Sequence, residues 1–182
     1  MEKTLEQLIM EKLQSKPEVG DKVGVIRLEM VREWDLSYGV KPLTTPDIAA
    51  AMMKPLLEKA DKEMFVVMSL NTKLEPMAAE IVAIGTVNSC AVSTRETFKH
   101  AIINNAASII CFHNHPSGDA YPSPEDEVMT KRLESAGELL GIPLVDHIVI
   151  GRKAIYSFNE VGRVTCFNKK QILEDREVKY NV

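Results

Sequence analysis

Two histidines one residue apart, and an aspartate eleven positions beyond the second, are the side chains in this sequence best suited to chemistry. They are His113, His115 and Asp126, within the stretch IICFHNHPSGDAYPSPED at residues 109–126. Side chains alternate across an extended strand, so imidazoles at i and i+2 share a face and can grip one ion together. The Pro, Ser and Gly after His115 let the chain turn back and bring Asp126, near the start of the next helix, to that ion as a hard oxygen ligand. Two nitrogens and one oxygen leave a tetrahedral cation one open position for water, which is how catalytic zinc is held. The plainer alternative is a pair of loop histidines beside a helix cap. Ser123 and Asp126 have capping-box spacing, with Pro124 at the first helical position, so the aspartate either satisfies helix amides or points outward to a metal.

The elements that must position these groups follow from hydrophobic patterning. The apolar run Ala107–Phe112, which delivers His113, reads as a strand, and EMFVVMSLN at 63–71 is apolar almost throughout, as a strand buried on both faces would be. Further strands are expected at 77–85 and 144–150, with a hairpin turn at 151–153 leading to a partner at 154–158. Thr45 or Asp47 can cap a helix running to about Ala60, which Pro55 is expected to bend or split. Thr94 is expected to cap a helix over 95–106, with Thr97 where a capping-box acid would stand. A third helix starts at Ser123 or Pro124 and runs to about Leu140, where Gly141 stops it. Strand and helix alternating around an apolar core make an α/β layer.

Outside this region the patterning is weaker. Leu5, Leu8, Ile9 and Leu13 form the stripe of a short amphipathic helix over 2–14. Val23–Met30 reads as a strand, Trp34 and Tyr38 as core or lid aromatics, and 87–92 as extended. The chain divides into an N-terminal helix/strand extension at 1–43, a domain at 44–160 and a charged tail at 161–182.

A 45% hydrophobic and 26% charged composition over 182 residues describes an ordinary soluble globule with room for a full core. The formal net charge of −4, with both signs interspersed, argues against a broad duplex-DNA surface. Cys90, Cys111 and Cys166 form no CxxC pair and suit a reducing compartment as buried small hydrophobes. No apolar stretch approaches membrane-spanning length, and the N-terminus is too charged for a secretion signal, so a cytoplasmic location is expected. There is no GxGxxG and no P-loop signature.

HNHPSGDAYPSPED, followed by TKRL, GELLGIPLVDHIVIG and YSF, resembles the RadC family. That family is part of the JAB/MPN superfamily of zinc-dependent metalloproteases, the JAMM group. The likeness covers about residues 44–160 and takes in EMFVVMSLN, GTVNS at 85–89 and TRETFKHAIINNAASII at 94–110. It implies a cytidine-deaminase-like three-layer α/β fold with a mixed central sheet. It also implies Zn2+ held by His113, His115 and Asp126, with Ser123 as the motif serine and Glu63 as the upstream acidic residue. Two departures stand out: residues 1–40 lack the hairpin signature of the helix-hairpin-helix region usual in the family, and Thr94 occupies a position commonly proline.

The activity implied is hydrolysis of a peptide or isopeptide bond by metal-activated water. Glu63, at the start of a strand, is the candidate base and proton shuttle, with Glu96 and Glu80 as rivals. Ser123 can donate to a developing oxyanion or can simply cap its helix. Asn114 should point away from the ligands and brace the loop. Asp119 is a candidate carboxylate to orient a histidine, or a turn residue. Asp146-His147 is read as a structural hydrogen-bonding pair, Arg95 as a substrate-recognition or salt-bridging residue, and His100 as a helix-face residue. The alternative function is a DNA-repair-associated binding protein with a structural or vestigial metal site. A zinc deaminase is disfavoured, because its His-x-Glu and Pro-Cys-x-x-Cys signatures do not occur. The expected partners are an unidentified peptide or protein substrate and duplex DNA only weakly or not at all, with no membrane; a homo-oligomer is left open.

Overall fold

A computed structural model describes residues 42–85 and 92–164, with the isolated positions Gln7, Glu11, Gly24, Arg27 and Val31. The expected helix at 2–14, the strand at 23–30, Trp34, Tyr38, nearly all of the extended 87–92 segment and most of the charged tail lie outside the described residues. The elements run α1 (Pro46–Leu57), β1 (Met64–Leu70), β2 (Pro76–Ile84), α2 (Thr94–Ile103), β3 (Ser108–Asn114), α3 (Pro124–Leu140), β4 (Leu144–Ile150) and β5 (Ile155–Ser157).

The five strands form one sheet in the order β2-β1-β3-β4-β5. Only β3 and β4 pair in parallel, joined by the crossover helix α3, so the sheet is mixed. Burial follows from this order. The central β3 is buried along its whole length and β1 at every position but Met64, whereas the edge strand β2 alternates between half-buried and exposed positions for most of its length. A strand covered on both sides must be apolar in both phases of its pleat, which is why MFVVMSL and SIICF read as continuous runs.

Alternation then sorts the core into two. Val66, Met68 and Leu70 of β1 join Ile110 and Phe112 of β3 beneath Ala49, Met53 and Leu57 of α1. Phe65 and Val67 join Ile109, Cys111 and Val149 on the opposite face, under Phe98 of α2 and Leu133 of α3. Helices on both faces of a mixed sheet give the three-layer α/β fold expected of a JAB/MPN domain. Each large side chain so enclosed contributes roughly 1.5–3 kcal/mol by leaving water.

Three local features differ from the sequence reading. Pro55 does not split α1, which continues through it and ends two residues later at Leu57. A proline in a last turn forfeits a single backbone bond instead of breaking a run of them. The N-cap of α2 is Ser93 rather than Thr94, with no side-chain capping bond; the Thr97 hydroxyl donates to the Ser93 carbonyl at 3.0 Å. Finally, α2 ends at Ile103 instead of running on to Ala106.

Candidate metal centre

His113 is the penultimate residue of β3, 4% exposed, on the face covered by α2 and α3. His115 follows the strand but stays tied to its neighbour, its N–H donating to the Ile150 carbonyl at 3.2 Å. The two imidazoles therefore keep the two-residue phase of the strand and meet, Nε2 to Nε2, at 3.0 Å.

Asp126 reaches them from the first turn of α3. Ser123 is the N-cap of that helix, and the capping box is complete: the Ser123 N–H donates to Asp126 Oδ2 at 2.8 Å and the Asp126 N–H to Ser123 Oγ at 3.1 Å. The Ser123 hydroxyl also donates to Asp126 Oδ2, at 2.7 Å. Capping and ligation were alternatives in the sequence; here one carboxylate does the first while facing the histidines, Oδ1 at 3.4 Å from His113 Nε2 and Oδ2 at 3.5 Å from His115 Nε2. Burial pushes the Asp126 carboxyl up, but bonds from His113, His115 and Ser123 together outweigh it and hold it well below the ordinary carboxylate range. The His115 imidazole is raised, chiefly by Asp126.

The donor set fits a metal. In a tetrahedral ion with bonds of ~2.0–2.1 Å, neighbouring donor atoms stand roughly 3.3–3.4 Å apart. The two nitrogens stand 3.0 Å apart and each faces its own Asp126 oxygen, at 3.4 and 3.5 Å; with one donor atom from each residue the three lie within 4.8 Å of one another, close enough to converge on one ion. The Asp119 carbonyl can only accept, so His115 donates to it through Nδ1 at 2.8 Å and, when neutral, keeps the Nε2 lone pair free for an ion. Asp119 thus orients the histidine through its main chain; its carboxylate instead accepts the Tyr121 N–H at 3.0 Å.

Glu63 reaches this face by register. Phe65 pairs with His113 across antiparallel β1 and β3. Continued two residues past the paired range, that register would set Glu63 opposite His115, in the same phase of the pleat. Burial raises the Glu63 carboxyl above its ordinary value, while His115 and then His113 pull it back down, as expected of a group beside both rings. The rivals lie elsewhere. Glu96 is bound to Lys99 at 2.7 Å and faces Arg95 at 3.7 Å, and Glu80 faces His100 at 3.6 Å. His100 is more than a helix-face residue: it is buried, with Nε2 at 2.9 Å from the Ser69 hydroxyl.

Asn114 points to the opposite face, as alternation requires, and bonds to the β1 strand rather than to its own loop. Asp146 is structural: its carboxylate accepts from the His147 N–H, the Asn159 N–H and the Ser157 hydroxyl, and burial lifts its pKa to about 6. His147 departs from the reading. It is fully buried, its Nε2 lies 2.8 Å from His113 Nδ1, and its Nδ1 lies 2.7 Å from the Thr130 hydroxyl. Burial drives its imidazole well below the ordinary range, which favours the neutral ring. Thr130 had a signal in the sequence, since it stands one helical turn after Asp126 and shares its face. His147 had none, because nothing local shows that β4 lies beside β3.

Residues 43–163 match the RadC-like JAB domain. The chain is similar to a UPF0758 protein of Desulforamulus reducens, 39% identical over 168 residues, 89% of this chain and 74% of the relative. A UPF0758 protein of Desulforudis audaxviator is 49% identical over 118 residues, 65% of this chain and 51% of that one. One from Methanosarcina acetivorans is 40% identical over 124 residues, 68% and 54% of the two chains. The chain thus spans between about half and three quarters of the length of these relatives.

Proposed function

The chain belongs to the family of RadC-like JAB domains, and on that basis we propose that it is a zinc-dependent hydrolase cleaving a peptide or isopeptide bond with metal-activated water. The observation that carries this reading is the convergence of His113 Nε2, His115 Nε2 and the Asp126 carboxylate, whose ligand atoms lie within 4.8 Å of one another, and the electrostatic influence of both histidines on the Glu63 carboxyl supports Glu63 as the base. Zinc held there supplies Lewis acidity, bringing the pKa of water towards about 7 and polarising a carbonyl.

The rest is work for the chain's own residues. Glu63 takes the proton from the attacking water and passes it to the leaving amine; its raised carboxyl moves it towards the pKa such a shuttle needs. Ser123 holds the Asp126 carboxylate through its N–H and hydroxyl. Donation to an oxyanion by Ser123 requires that this hydroxyl proton leave Asp126. The substrate is assigned to peptides or proteins rather than duplex DNA, because a net charge of −4 offers little counterion release.

The test uses zinc-loaded protein and mixtures of peptides and isopeptide-linked peptides, with products read by mass spectrometry. Cleavage is expected, and Glu63→Gln should keep the zinc while losing ~10²–10⁴-fold in rate. Equal cleavage by the Glu63→Gln variant, or no zinc uptake by the unaltered protein, sinks the reading.

A further inference from the structure

Behind the candidate metal centre runs a chain of three hydrogen bonds whose direction is set at its far end. The Thr130 hydroxyl lies 2.6 Å from the Asp126 carbonyl. Two oxygens so close with no hydrogen between them would repel, so the single Thr130 proton is committed to that carbonyl. The hydroxyl can then only accept from His147 Nδ1, 2.7 Å away. A neutral imidazole carries one N–H, so His147 Nε2 is left as a lone pair facing His113 Nδ1 at 2.8 Å. His113 must donate there, so in its neutral form its own Nε2 is the lone pair, pointing at Asp126 and His115.

We propose that Thr130 and His147 are positioning residues that lock His113 into the tautomer able to ligate a metal, through a one-way chain anchored on the backbone of the helix that supplies Asp126. The inference deepens the proposed function and rests on its metal centre. Metal-bound histidines commonly donate their second N–H to a carboxylate or a carbonyl. Here the acceptor is another imidazole, which could equally well donate, and Thr130 removes that freedom. His115 needs no such device, because the Asp119 carbonyl is already an unambiguous acceptor. The two bonds of His147 are sealed from water, with His147 and Thr130 at most 1% exposed and His113 4%, and the Thr130–Asp126 bond is partly buried. Thr130 also makes the geometry common to both ligands, since its partner is the carbonyl of Asp126 itself.

The test is the imidazole tautomer, read by long-range proton–nitrogen correlation NMR on 15N-labelled protein at mildly alkaline pH, metal-free and zinc-loaded. The expected result is His147 protonated at Nδ1 in both states and His113 protonated at Nδ1 with zinc bound. His147 protonated at Nε2 in either state overturns the proposal, with no variant required. Thr130→Val removes the acceptor while keeping the shape. It should turn His147 to its Nε2–H form and weaken zinc binding, measured against a chelator, by ~10–100-fold. Thr130→Ser should restore both. An unchanged tautomer and an unchanged affinity in Thr130→Val overturn the proposal as well. The metal reading fails separately: unaltered protein with the stated His147 tautomer but no zinc uptake sinks that reading and leaves the chain of bonds standing.

Discussion

Asn114 grips the backbone on both sides of Glu63. Its Nδ2 donates to the Lys62 carbonyl at 3.0 Å, and its Oδ1 accepts the Met64 N–H at 2.8 Å. Because Asn114 stands between His113 and His115 on an alternating strand, one segment presents ligands on one face and holds the candidate base's strand from the other. Asn114→Ala removes both bonds and strands the Met64 N–H, a loss of ~1–3 kcal/mol. Urea unfolding should show that loss, while zinc content stays unchanged because Asn114 contributes no ligand. A variant as stable as the unaltered protein would show that the clamp is ornamental.

Zinc should stabilise the folded chain by mass action. At a free concentration about 100-fold above its dissociation constant the gain is ~2.7 kcal/mol. Asp126→Asn keeps an oxygen for the Ser123 N–H and so most of the helix cap, yet removes the charge that faces both histidines. The variant is expected to fold but to show little or no zinc-dependent rise in melting temperature. His115→Ala should behave likewise. Elemental analysis of the unaltered protein should give near one zinc per chain; full occupancy in a His113→Ala, His115→Ala double variant would place the metal elsewhere.

Much of this was legible from residue types alone. The pairing of His113 with His115 follows from strand alternation, and the continuous apolar runs at β1 and β3 announce a sheet covered on both faces. Spacing could not decide whether Asp126 caps its helix or faces a metal, because the same carboxylate has two oxygens and the structure uses them both ways. Contacts set by strand order were out of reach altogether. His147 meets His113 only because β4 lies parallel beside β3, and a local pattern carries no record of which strands are neighbours. Of the two roles open to Asp119, its carboxylate takes that of the turn residue, and the histidine is oriented by its carbonyl, a group every residue has and no pattern singles out.

Gly151 is a second site where structure behind the metal centre should matter. A Cβ there would stand 2.7 Å from the Gly118 carbonyl oxygen and 2.8 Å from the Ala120 N, both backbone atoms that cannot swing aside. Those atoms belong to the loop that carries the Asp119 carbonyl bound to His115. Gly151→Ala is therefore expected to cost ~1–3 kcal/mol by overpacking and to lower zinc affinity as the loop is displaced. Denaturant unfolding and chelator competition measure the two effects, and a variant unchanged in both would mean that the loop gives way freely.

Asp146 makes a prediction about pH whose sign is unusual for an aspartate. Burial raises its folded pKa to about 6 from an ordinary 3.8, in spite of the bonds from Ser157, Asn159 and His147. The folded state therefore holds this proton more tightly than the unfolded chain does. Its contribution to stability is greatest below the unfolded value, falls as pH rises through about 4 to 6, and above that leaves a cost of about 3 kcal/mol for the buried charge. Asp146→Asn keeps an oxygen for the two backbone N–H groups and can turn its amide to the Ser157 oxygen, without the charge. Relative to the unaltered protein the variant should gain stability by up to about 3 kcal/mol between acid and neutral pH. Paired urea titrations of metal-free protein across that range give the difference directly. A difference that stays flat, or that turns against the variant as pH rises, means that the three bonds fully compensate the buried carboxylate.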